Sequence, residues 1–271
     1  VIGEKETEQL KSSQYKTPYI GQKKQLETLV STFNKAREDV ANKNCKMHTI
    51  GITGVAGMGK SRLVSEMVNQ VLSDIDRRTY FVTAAATNIS SQSYHTFITM
   101  LKNYMQVSPA DTIDIVTERV DSVYSSLADY LVDSEIEHFN NSKPIIGFLL
   151  GIKSDDIRLN SRGKELQTHV HVALRIFIET ISAKANLDGL PMLISFEDLH
   201  WIDDPSKDAL INLFEFLGMS RENEDSPEYL FILNYRPEFE MPVEVNRNCN
   251  FKKIILQPLK EDECLEIINY F

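Results

Sequence analysis

Gly54-Val55-Ala56-Gly57-Met58-Gly59-Lys60-Ser61 sets a glycine four residues ahead of a Gly-Lys-Ser triplet, and each position answers a need of phosphate chemistry. Glycine turns the backbone through positive φ and lets N–H groups approach oxygen atoms that a Cβ would hold off. Those N–H groups, with the positive end of a following helix, favour bound phosphate. Lys60 would reach the outer phosphates, the Ser61 hydroxyl would ligate Mg²⁺, and Arg62 follows them at the start of the helix. Far downstream, Leu193-Ile194-Ser195-Phe196 runs into Glu197-Asp198. Acids at the carboxyl end of a buried strand face the crevice where ligands bind. One could hold Mg²⁺ and the other polarise an attacking water. Ser195 interrupts an otherwise apolar run and counts slightly against this reading.

The elements that must position these residues are legible on both sides. Residues 48–53 read as a short β-rich strand, and Leu63, Val64, Met67, Val68, Val71 and Leu72 recur at helical spacing. Strand, loop and helix therefore follow in the order a phosphate loop requires. Residues 1–18 read as a polar linker, and Leu26, Leu29, Val30, Phe33, Ala36 and Val40 mark a helix after it. Residues 79–83 read as a second strand. From about 92 to 187 no strong strand occurs, and three helical patterns are expected, around Phe97–Met105, Val120–Leu131 and Leu166–Ala185. Strands are expected again at 191–196, 229–234 and 251–256, the first two apolar enough to be covered on both faces. Asp204, with Pro205 next, can cap a helix bearing Ala209, Leu210, Leu213, Phe214 and Leu217, and a last helix starts at Glu261. Alternating strand and helix implies an α/β domain with a mainly parallel sheet and a large helical insertion.

Phe196-Glu197-Asp198-Leu199-His200-Trp201-Ile202-Asp203-Asp204-Pro205-Ser206 resembles the "EDLHWAD-P-S" segment of STAND-type signal-transduction ATPases of the AAA+ superclass. Within that branch it is most similar to the ATPase domain of class III, soluble-type adenylate and guanylate cyclases. Tyr19–Leu26 is similar to the "F-V-G-R-E-x-E-L" box, Ile145–Ile152 to a "pLL…LLG" segment, Leu233–Glu238 to "TYRPE" and Leu256–Leu259 to the "L-x-P-L" exit. The resemblance implies a three-layer P-loop NTPase domain over 19–260, with 261–271 opening a further helical or winged-helix-like region. It implies ATP or ADP with Mg²⁺, Ser61 and Glu197 on the metal, Asp198 on the water, Arg236 as γ-phosphate sensor, and Tyr19, Ile20 and Gly21 beside adenine. Gln22 stands where the family carries Arg, and Glu197 where Asp is commoner.

Composition narrows the rest. A net charge of −10 without a Lys/Arg run argues against a nucleic-acid surface, and the longest apolar run, 144–152, is too short to span a membrane. Cys45, Cys249 and Cys264 lack metal-ligand spacing and suit reduced thiols of a cytoplasmic protein. The start at Val1 suggests a piece of a longer polypeptide, whose neighbouring domains, or a second copy, would be the partners. His169 and His171 point apart on a helix, and Asp203 reads as support for the following helix. His200 and Trp201 read as a packing pair, with a contact to water near Asp198 as the alternative. Three functions follow: a regulatory ATPase switch with slow turnover, a nucleotide-holding module that does not hydrolyse, and a small-molecule kinase. The kinase would want a lid rich in arginine, where 92–165 offers only Arg119, Arg158 and Arg162.

Overall fold

The computed structural model describes residues 18–44, 47–73, 80–219, 227–247 and 250–270. Five strands, β1 Met47–Thr53, β2 Phe81–Ala85, β3 Met192–Glu197, β4 Tyr229–Tyr235 and β5 Asn250–Ile255, form one sheet in the order β2-β3-β4-β1-β5. Every pairing is parallel, with Ile50 opposite Ile232 and Ile194 opposite Phe231. The strands at the middle of this sheet are buried along their whole length, as near-continuous apolar runs require.

Side chains alternate across the sheet and so sort into two cores. Ile50, Ile52, Leu193, Leu230 and Ile232 face α1 Lys23–Asn42 and α2 Lys60–Val71, packing on Leu29, Phe33, Leu63 and Met67. Phe196, Phe231 and Leu233 point the other way, into Phe97, Phe177, Ile178 and Phe214. That second layer comprises α3 His95–Tyr104, α4 Ile113–Ala128, α5 Asp133–Leu149, α6 Lys164–Leu187 and α7 Asp204–Met219. The first four make up the helical insertion between β2 and β3. The short α8 Val243–Arg247 precedes β5, and α9 Glu261–Tyr270 follows it.

Several expectations shift. The second strand starts at Phe81 and runs to Ala85, two residues beyond the expected end, while Thr79 lies outside the described residues, as do Cys45 and Cys249. On α1 Val40 is half-buried and its neighbour Asp39 turns inward, accepting from Asn44 Nδ2 at 3.1 Å and lying 2.8 Å from His48 Nε2. A buried polar partner on β1 outweighs the apolar pattern there. Helix α5 was not anticipated, because its first half is polar and Pro144 sits inside it. It forms through packing: Phe139 stacks on Tyr124 at 4.3 Å, and the Tyr124 and Ser142 hydroxyls bond at 2.8 Å. The cap of α7 is Asp203, one residue earlier than Asp204. Its Oδ1 accepts from Ser206 N at 3.0 Å and from Tyr94 N at 2.9 Å, so one carboxylate serves the N-termini of both α3 and α7.

Candidate functional site

The carboxyl ends of β1, β3, β4 and β5 lie along one edge of the sheet, on both sides of the junction where the consecutive run β2-β3-β4 gives way to β1. β1 delivers the loop from Gly54, and Gly57 and Gly59 take φ of 79° and 85°, a conformation that excludes most side chains. Gly59 caps α2, so the helix begins at Lys60 with its free N–H groups turned towards the loop. Lys60 is buried, and its Nζ donates to the carbonyls of Gly54 at 2.7 Å and Val55 at 3.1 Å. Burial lowers the Lys60 ammonium below its ordinary pKa, against the opposing field of Asp198.

Ser61, next in the chain, donates its hydroxyl to Glu197 Oε2, joining the loop to β3 across 136 residues of sequence. Ser195 Oγ donates to the other carboxylate oxygen at 3.3 Å. The serine that counted against the acid pair thus holds it. Burial raises the Glu197 carboxyl above its ordinary value, opposed by the hydrogen bond from Ser61. The buried amide of Asn234, on the adjoining strand β4, lies near enough to favour the charged form as well. Asp198 is exposed and takes φ of 54°, which turns the chain from β3 into a 3₁₀ turn, Leu199–Trp201. Arg236, one residue past β4, lies 3.9 Å from Glu238 and sets its guanidinium 5.6 Å from the centre of the Trp201 ring. Its charge acts on Lys60, so the sheet edge brings Lys60, Ser61, Glu197, Asp198 and Arg236 into one cluster.

The loop continues into a cavity of about 440 Å³ lined by Tyr19, Ile20, Gly57, Gly59, Arg62 and Pro258 among others. Tyr19 is pushed up to about 12 by burial. Gly21 does not line the cavity. It lies behind the wall at φ 78°, where a Cβ would run into Leu259 of the segment after β5. Gln22 Nε2 donates to Gln257 O at 2.6 Å, clipping the two walls together.

A family model described as an AAA ATPase domain matches residues 18–223. The chain belongs to the AAA ATPase domain family. No curated protein matches it. An AAA ATPase domain is a nucleotide-binding ATPase with an α/β P-loop fold, and the all-parallel sheet agrees. Among the described residues no helix is long and apolar enough to cross a membrane.

The residues of this AAA domain fit a nucleotide with Mg²⁺. Gly57 leaves open space where a Cβ would stand, the Ser61 hydroxyl is exposed beside a carboxylate, and a cavity continues from the loop. No cluster of three or more His, Cys, Asp or Glu side chains suited to a metal occurs among the described residues. Ser61 and Glu197 would be the protein ligands for Mg²⁺, in keeping with an ion that retains waters and shares phosphate oxygens. Sequence reasoning missed Asn234, Ser195 as a support, and the far wall formed by Gln257, Pro258, Leu259 and Ile267. The similarity of 256–259 to a family exit segment was the signal that could have found that wall.

Proposed function

We propose that this AAA domain is an ATP-operated regulatory switch in a larger signalling protein, with slow Mg²⁺-dependent hydrolysis resetting it. The hydrogen bond from Ser61 to Glu197 carries the reading, because it sets the loop and the acid strand in register with each other. Lys60 and Arg236 supply positive charge towards the phosphates, and Ser61 with Glu197 would hold Mg²⁺, which when bound neutralises developing phosphate charge. Exposed Asp198 accepts a hydrogen bond from the attacking water and orients it. Tyr19 and Ile20 form an apolar wall for the base. Arg236 can follow the loss of an outer phosphate, since among the described residues it is held by a long ion pair and a ring face. The neighbouring domains would be the readers of that state. The similarity of 196–206 to the ATPase domains of class III cyclases makes a cyclase one candidate neighbour.

Neutral Gln22 in place of the family's arginine favours one second reading, a module that holds nucleotide without turnover. Nucleotide extracted after purification, with ADP release by wild type and Asp198→Asn, separates the two. A hydrolysing switch releases ADP, and Asp198→Asn slows it about 10²–10⁴-fold while keeping ATP bound. Equal, background-level release from both proteins would leave only the holding module.

A further inference from the structure

His200 sits at the centre of the 3₁₀ turn that follows the acid pair, and the structure gives its ring nitrogens nothing to bond. Both Nδ1 and Nε2 are shielded from solvent and have no hydrogen-bond partner among the described residues. A neutral imidazole carries one donor and one acceptor, and burying both unmade costs stability. Packing alone does not account for this. The ring leans on Trp201 at 5.2 Å between centres, a contact that a phenyl ring would make without stranding two polar atoms. The charged groups acting on the imidazole are Arg236 and Glu238 from the end of β4, Asp198 from its own turn, and Lys60 from the phosphate loop. His200 thus lies in the field of the charged groups at the phosphate end of the groove, beyond the packing contact with Trp201.

The groups around it differ in how firmly they are held. Lys60 is fixed by two carbonyls, whereas Asp198 is exposed at the turn and Arg236, among the described residues, has a 3.9 Å contact to Glu238 and the face of the Trp201 ring. Asp198 is the acceptor nearest in the chain, at the residue from which the turn starts, and the Trp201 N–H bonds back to the Asp198 carbonyl at 2.8 Å. The turn backbone is therefore closed, and the carboxylate and the imidazole sit two residues apart on one tight turn.

We propose that His200 is a positioning residue whose ring N–H takes the Asp198 carboxylate when the groove holds a nucleoside triphosphate, fixing the acid's orientation towards the attacking water. This rests on the reading of Asp198 given above. With a diphosphate, Arg236 and Lys60 keep their present partners and the imidazole stays unpaired. His200 then distinguishes the two nucleotide states without touching either nucleotide.

The test uses the whole chain with ¹⁵N-labelled histidine and three substitutions, His200→Phe, His200→Gln and Lys60→Ala. In wild type, a non-hydrolysable ATP analogue with Mg²⁺ is expected to shift the His200 ring nitrogen signals to those of a hydrogen-bonded neutral tautomer, and ADP with Mg²⁺ to leave them in place. His200→Phe should keep the unfolding temperature and ATP and ADP affinities near wild type while lowering kcat about 10-fold or more at unchanged KM. His200→Gln, which retains a donor, should recover part of that loss. Ring signals that respond identically to the two nucleotides, or a Phe variant with wild-type kcat, would overturn the inference. Lys60→Ala separates this from the underlying reading: if it binds nucleotide as wild type does, the site itself is wrong, and if it fails to bind while His200 stays silent, only the role of His200 is.

Discussion

At the phosphate end of the groove one strand, one loop and one helix follow directly in sequence, and a second strand supplies acids to them. The opposite end is assembled from Tyr19, Ile20 and Gln22 and from Gln257, Pro258, Leu259 and Ile267, and the clip from Gln22 to Gln257 spans 235 residues. The first end is built from side chains of specific chemistry: a lysine, a hydroxyl, a half-buried carboxylate and glycines at positive φ. The second is built from backbone and apolar surface, where shape matters and residue identity matters less. Substitutions should therefore act sharply at the phosphate end and softly at the other.

The largest difference is expected from Glu197→Gln, which keeps the size of the side chain and removes its charge. The Mg²⁺ concentration needed for half-maximal turnover should rise about 10–100-fold, as for lost support of a metal ligand. Metal-dependent rates measure it, and an unchanged Mg²⁺ requirement would mean that Glu197 does not serve the metal. Next comes Gly51→Ala, in the strand that feeds the loop. A Cβ there would stand 2.6 Å from Phe251 Cζ and 2.9 Å from the Tyr235 hydroxyl. Overpacking of this kind costs about 1–3 kcal/mol, readable as a fall in Tm by thermal unfolding. No fall would show that the strand beneath the loop yields easily and that the phosphate end is softer than described. The smallest effect belongs to the other end: Gln22→Ala removes one neutral hydrogen bond and should weaken nucleotide binding by no more than about 1 kcal/mol. A loss as large as that of a phosphate-end variant would erase the contrast between the two ends.

The same contrast explains what could be read from the sequence. Gly54–Ser61 was legible because phosphate chemistry dictates those residue types, and Glu197-Asp198 because an apolar run ends abruptly in acid. The parallel sheet followed from alternating strand and helix, and the helical insertion from the absence of strands between β2 and β3. The far wall was hidden, since nothing in Gln257, Pro258 or Leu259 is chemically demanded, and only strand order carries them to Tyr19. Helix α5 was hidden by Pro144, whose cost is met by packing of Phe139 and Ser142 on Tyr124 that no local pattern displays. Asp203 and Asp204 are equally able to cap a helix, and the N–H of Tyr94, over a hundred residues away in the chain, decides between them. Ser195 looked like a flaw in a strand because its partner, the Glu197 carboxylate, lies on the same face two residues on.

Calorimetric titration of Mg²⁺·ATP into wild type and Lys60→Ala tests the central assignment most directly. Wild type is expected to show one site, and Lys60→Ala to lose affinity about 100-fold, the loss of two charge-assisted hydrogen bonds. Equal affinity in the two proteins would contradict the placement of the phosphates on the Gly54–Ser61 loop.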